Sequence, residues 1–168
     1  MSRHFLVDGY NVIRQIPNLD DKSLEDGRAW LIRFIQNNRP QGSHRNSATL
    51  VFDGQEGISF PNFSMGVNVV FSRGESADDV IKRLVEDSPA PRDIVLVTDD
   101  RDLLHFCRTL GAESWSVAQF LAQGQKTGAR LRSGVARSRS PKAEGKTIPT
   151  VFEDKVNREL KDLWLKKK

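Results

Sequence analysis

The strongest constraint in this sequence is an alternation. Five short apolar runs, HFLVD (His4–Asp8), ATLVFD (Ala48–Asp53), VNVVFS (Val67–Ser72), DIVLVT (Asp93–Thr98) and AESWS (Ala112–Ser116), are bounded by Gly, Pro, Asp or Ser and interleaved with helical patterns. Their apolar content is nearly continuous rather than alternating, which predicts strands covered on both faces, as in parallel sheets. Helices are predicted over about Lys22–Asn38, with Leu24, Leu31, Phe34 and Ile35 on one face, over Ala77–Asp87 and over Asp100–Leu110. Strand–helix alternation of this kind specifies an α/β fold: a three-layer α/β/α sandwich around a central, mainly parallel sheet. The 168 residues suffice for one such domain, expected over residues 1–122.

Beyond it the composition changes. Between Leu121 and Thr147 seven basic residues face one acid, Glu144, so of the chain's net +4 this stretch supplies +6 and the remainder −2. Residues 123–149 are rich in Gly, Ser, Arg and Lys and are expected to form a basic, flexible segment. Residues 150–168 resume a helical pattern, with Phe152, Val156, Leu160, Leu163 and Trp164 spaced for one apolar stripe. A near-neutral body with a basic extension suits contact with phosphate polymers. No apolar run reaches the roughly 18 residues that span a bilayer. The opening MSRHFLVDGYNV does not read as a secretory leader, and the single cysteine, Cys107, suits a reducing compartment. A cytoplasmic protein without membrane contact is expected.

The chemistry-bearing feature is a set of acids with one shared position. Asp8 and Asp53 end the first two strands, Asp78 and Asp79 open the helix after the third, and Asp99, Asp100 and Asp102 follow the fourth. In a parallel sheet all those strand ends lie on one edge, where α/β proteins place their sites. Two carboxylates about 4 Å apart repel by roughly 4 kcal/mol at an effective dielectric of 20, so the cluster calls for protonation or a cation. Oxygen-only ligands, with no His or Cys at ligand spacing, point to Mg²⁺ or Mn²⁺. Such ions activate water for attack on a phosphodiester and stabilise the leaving oxygen. Helix phase separates ligands from bystanders. Asp78 precedes Ile81 and Val85 by three and seven residues and points along the buried face, whereas Asp79 shares a face with Lys82, Arg83 and Glu86 and pairs with Ser76 as a capping signal. Asp100 stands in the same relation to Leu103 and Cys107. Asp102 is expected as an outer ligand and Asp99 as a turn residue. In DGYN, Asn11 is placed either to orient a phosphate or a water, or to cap the next segment.

Taken together, VDGYNVI (Val7–Ile13), VFDG (Val51–Gly54), FSRGESADDVI (Phe71–Ile81) and VTDDRDL (Val97–Leu103) resemble the NYN domain family, in its YacP-like branch, within the PIN-fold nucleases. The resemblance implies an α/β/α sandwich and divalent-metal-dependent endoribonuclease cleavage of single-stranded RNA, with messenger RNA and the ribosome as expected partners. By position it makes Asp8 the first metal-binding aspartate, Asn11 the motif asparagine, Asp78 the acid of an Ala-Asp pair and Asp100 the acid after the fourth strand. Asp53 lies in a matching motif. The chain departs from the family where relatives carry Thr-Ser-Asp and it has Thr98-Asp99-Asp100. The expected catalytic set is therefore Asp8, Asn11, Asp78 and Asp100. The expected metal ligands are Asp8, Asp53, Asp78, Asp100 and Asp102, and Arg73, Arg101, Arg130 and Arg132 are the candidates to hold the RNA backbone.

Two other readings use the same residues. An aspartyl phosphatase or receiver domain needs a lysine after a later strand and a second acid near the first. AESWS carries no lysine, and DGYN has no acid two residues after Asp8. A non-catalytic RNA-binding module on the same fold is the other alternative; loss of a core acid would signal it, and none is missing.

Overall fold

The computed structural model describes residues 2–17, 19, 22–54 and 67–138. The architecture is that of the compact unit ending at Val135. Its five strands are β1 (His4–Asp8), β2 (Ser47–Phe52), β3 (Val67–Phe71), β4 (Ile94–Val97) and β5 (Glu113–Trp115). They form one sheet in the order β3-β2-β1-β4-β5, and every neighbouring pair is parallel. The chain lays β2 and β3 down outward from β1, then crosses back to place β4 on the other side of β1. The strand order thus reverses between β1 and β4, which in open α/β sheets is the place where a crevice opens at the strands' carboxyl ends.

The apolar runs explain both helical layers. Alternate residues of β1 point to opposite faces: Phe5 and Val7 join a core with Leu50, Phe52, Val95 and Val97, while Leu6 joins another with Val51, Ile94 and Leu96. The first core is closed by α1 (Gly9–Ile13), α2 (Leu24–Asn38) and α5 (Val117–Ser138), the second by α3 (Ala77–Glu86) and α4 (Arg101–Thr109). Serine caps start two of these helices. The Ser23 hydroxyl accepts from the Asp26 amide at 3.1 Å, and that of Ser76 from the Asp79 amide at 3.1 Å while donating to Asp79 Oδ2 at 2.7 Å.

Three elements differ from the sequence expectation. Gly9–Ile13, where no helix was expected, is a short helix capped by the Asp8 side chain. Leu24 was expected on the apolar face of α2 but is 61 % exposed; the buried residues of that helix begin at Gly27. The third difference concerns residues 123–138, expected to lack a fixed fold: they continue α5, so the anticipated boundary at residue 122 falls inside a helix. Glycines there serve close packing. A Cβ on Gly124 would stand 2.4 Å from the Phe34 ring, and one on Gly128 2.2 Å from Asn38 Oδ1, so α5 and α2 approach more closely than any side chain at those positions permits. The remaining basic segment, residues 139–149, and the anticipated helix at 150–168 lie outside the described residues. Among the described residues no helix is long and apolar enough to cross a membrane.

Candidate active site

The site is built outward from Asp8, the last residue of the central strand. Because Val7 pairs with Val97, the next residues along each strand, Asp8 and Thr98, come side by side at the point where the strand order reverses. Asp8 Oδ1 accepts from the Asn11 amide at 3.1 Å, capping α1, and Oδ2 accepts from the Thr98 hydroxyl at 3.1 Å. Thr98 is fully buried, and its Oγ1 in turn accepts from the Asp100 amide at 3.1 Å. One hydroxyl therefore links the first acid to the backbone of another. Sequence reasoning gave Thr98 no role; its signal would have been a hydroxyl directly after an all-apolar strand.

The other acids arrive by different routes. Asp100 is the N-cap of α4 rather than its first inward-facing residue: Oδ1 accepts from the amides of Asp102 at 3.0 Å and Leu103 at 2.9 Å. Asp53 follows β2, and its Oδ1 accepts from the Ala77 amide at 2.6 Å, pinning the start of α3 to the sheet edge. The turn is braced by Ser72, whose hydroxyl accepts from the Gly54 amide at 3.1 Å. Asp78, in the first turn of α3, is half-buried, and its neighbour Asp79 is exposed and engaged with Ser76, as helix phase indicated.

These carboxylates feel one another. Burial pushes the Asp8 carboxyl above its ordinary range, and the charges of Asp78 and Asp53 push it further, against the stabilising hydrogen bonds from Asn11 and Thr98. Burial also raises Asp78, reinforced by the charges of Asp100, Asp53 and Asp79 and opposed by Lys82. Asp8, Asp53, Asp78 and Asp100 thus form one electrostatic group. As placed, no three of the described His, Cys, Asp or Glu side chains stand close enough together to grip a metal ion. The chemistry of the donors nevertheless fits a hard divalent cation. All are carboxylate oxygens, and Asp53 and Asp100 each turn one oxygen to backbone amides, which sets their orientation and leaves the second. Mutual repulsion is what such an ion would relieve.

Other expected residues stand apart. Asp102 is exposed and is not among the charges that shift Asp8 or Asp78, so the structure does not bring it into the group. Asn11 turns its amide oxygen to the Asp99 backbone amide at 3.0 Å and to Gln15 Nε2 at 3.3 Å, which fixes the loop after β4 against α1. Asp99, the departure from the family pattern, ties three elements together. Its carboxylate accepts from Gln15 at 2.8 Å and from the Val117 amide at 3.2 Å, so it caps α5 rather than α4. Arg101 opens α4 beside Asp100, and Arg73 follows β3 with a left-handed φ of 48°. Both are exposed at the acidic edge, whereas Arg130 and Arg132 are exposed on α5. A groove of about 920 Å³ lies at the opposite end of the sheet, by His4, Ser47, Val67 and Ile94, and is lined by none of Asp8, Asp53, Asp78 and Asp100. Cys107 is sealed in the second core with its thiol pushed up to about 11 by burial, and so is inert at neutral pH.

An all-parallel sheet that brings carboxylates from four segments to the reversal point of its strand order is the layout of a nuclease-like α/β domain. Over residues 5–164 the sequence matches the family described as the YacP-like NYN domain, and the chain belongs to that family. Two crystal structures are similar to it, both of Rae1 (YacP) from Bacillus subtilis. One, of a point mutant, is 26% identical with a TM-score of 0.65 over 80% of this chain and 82% of that one. The other is 24% identical with a TM-score of 0.65 over 96% and 90%, a likeness of fold. No curated protein sequence matches the chain.

Proposed function

We propose that this protein is a cytoplasmic, divalent-metal-dependent endoribonuclease that cleaves single-stranded RNA, with messenger RNA, at the ribosome, as its natural setting. The observation that carries this reading is the shared electrostatics of Asp8, Asp53, Asp78 and Asp100 at the sheet's carboxyl edge. These four would hold Mg²⁺ or Mn²⁺, which when bound supplies the positive charge for the scissile phosphate and lowers the pKa of the attacking water. The residues of the chain do the positioning. Thr98 keeps Asp8 and the Asp100 backbone in register, Asp53 holds the α3 start that carries Asp78, and Asn11 fixes the loop that carries Asp100. The acids form no covalent bond to substrate; water attacks in line and leaves 5′-phosphate and 3′-hydroxyl ends.

Cleavage of single-stranded RNA by the full chain, with Mn²⁺ or Mg²⁺ and with chelator added, tests this directly. Wild type should cut, chelator should stop it, and Asp100→Asn should be inactive while still folded, because Asn caps helices as well as Asp does. Chelator-insensitive cleavage would sink the proposal. The absence of three closely grouped ligands among the described residues favours one other reading, a non-catalytic RNA-binding module. RNA binding without any metal-dependent cleavage would select it.

The exposed arginines of α5 give a separate expectation. Replacing both Arg130 and Arg132 with Ala should weaken RNA binding and flatten its dependence on salt, by about 0.7 in log–log slope for each phosphate no longer neutralised. Fluorescence anisotropy across a salt series checks this, and an unchanged slope removes α5 from the binding surface.

A further inference from the structure

One charged residue is buried where no charge is expected. Arg28 lies on the inward face of α2, at helical spacing from Leu31 and Ile35, and is only 7 % exposed. It is paired with no carboxylate among the described residues. Its guanidinium instead sits over three rings, 5.4 Å from the centre of Tyr10, 5.6 Å from Phe52 and 5.1 Å from Phe71. Nε donates to the Tyr10 hydroxyl at 2.9 Å and Nη2 to the same oxygen. Among the described residues that leaves Nη1 without a hydrogen bond. Arg28 keeps 7 % of its surface exposed, and among the described residues the one fully buried side-chain polar atom without a partner is Gln41 Oε1 rather than an Arg28 nitrogen.

The position of the box gives the charge a purpose. Tyr10 comes two residues after Asp8, Phe52 directly before Asp53, and Phe71 closes β3, so all three rings stand at the same sheet edge as the acids. They lie on the α2 side, while Asp53 turns away to the start of α3. A neutral side chain of similar length would fill the ring box without the penalty of burying a charge. An arginine held rigidly by rings and a phenol, with three of its five N–H groups left over, is a fixed anion receptor. A polyanion approaching an edge that carries four acids needs such a counter-charge beside them.

We propose that Arg28 binds an RNA phosphate adjacent to the one held at the acids, drawing the strand over the sheet edge from the α3 side to the α2 side. The proposal rests on the nuclease reading above. Arg28 is a substrate-binding residue in this scheme, and Tyr10, which sets the plane of its guanidinium, is the positioning residue.

The test is anisotropy of the full chain with a short single-stranded RNA in chelator, so that no cleavage occurs, across a salt series. Arg28→Met keeps the packing and removes the charge. It should weaken binding about fivefold at low salt and reduce the log–log salt slope by about 0.7. A folded Arg28→Met protein with wild-type affinity and slope overturns the proposal and makes Arg28 a packing staple. Weaker binding at an unchanged slope also overturns it, in favour of base stacking on the rings. Should Arg28→Met fail to fold, Tyr10→Phe decides. Freeing the guanidinium should lower affinity about threefold with the slope retained, and unchanged affinity overturns the assignment. If wild type itself neither binds nor cuts RNA, the nuclease reading falls and this inference with it; if wild type cuts and the variants match it, only the inference falls.

Discussion

Asp8→Asn is expected to abolish RNA cleavage, by on the order of 10³-fold or more, and at the same time to raise the melting temperature of the metal-free protein. Both effects come from one property of the residue. Asp8 is buried, close to Asp53 and Asp78, and its carboxyl is raised above its unfolded value first by burial and then by those charges. A raised carboxyl means that the folded state prefers the protonated form. That preference stabilises the fold fully below the unfolded value of about 3.9 and is lost as pH rises through the folded value. At neutral pH the ionised Asp8 is therefore a liability that asparagine removes.

Asparagine also keeps both local contacts, the one to Thr98 with its direction reversed. Its Oδ1 can accept from the Asn11 amide as the carboxylate does, and its Nδ2 can donate to the Thr98 hydroxyl oxygen. The gain should be about 1 kcal/mol, or some 2–4 °C for a chain of this size, at pH 7, and should shrink towards pH 4 as wild-type Asp8 takes up its proton. Thermal melts against pH measure it. A second melt series with Mn²⁺ tests the proposed ligand role: the ion should stabilise wild type and leave Asp8→Asn nearly unmoved. Equal stabilisation of both proteins would show that Asp8 does not hold the ion, and a lower melting temperature for Asp8→Asn without metal would contradict the electrostatic account.

How far the sequence could be read depends on what kind of information each residue carries. The sheet was legible because strands buried on both faces must be apolar throughout, and the convergence of Asp8, Asp53, Asp78 and Asp100 followed from parallel topology alone. Helix phase separated Asp78 from Asp79 because one face of α3 is buried and the other is not. The same argument misplaced Asp100 slightly, since a residue at the N-cap is not yet on the helical wheel. What stayed hidden was information about pairs. The bond from Thr98 to Asp8, the span of Asp99 from Gln15 to the start of α5, and the ring box around Arg28 join residues 18 to 90 positions apart. Glycine is ambiguous for the same reason. Gly124 and Gly128 sit in a stretch whose composition reads as flexible, yet they belong to a packed helix whose demand comes from Phe34 and Asn38 on α2.

Gly9→Ala is expected to destabilise the fold by about 3 kcal/mol, a fall in melting temperature on the order of 10 °C, although it adds a single methyl group. A Cβ at this position would lie 2.1 Å from Phe52 Cε1 and 2.4 Å from Cδ1, inside any real contact distance. The ring has little room to yield. Phe52 is fully buried, meets Tyr10 edge-on at 5.3 Å, stacks on Phe71 at 5.9 Å and underlies the Arg28 guanidinium. The alternative is for α1 to move away from β2, which would carry the Asn11 amide off the Asp8 carboxylate and disturb the site as well as the core. Combining Gly9→Ala with Phe52→Leu should recover more than half of the lost stability, because the smaller side chain vacates the space the methyl needs; Phe52→Leu alone should destabilise by leaving that space empty. The coupling in this cycle is the measure of the contact. Independent, additive losses would mean that Gly9 is required for some reason other than the approach of α1 to Phe52.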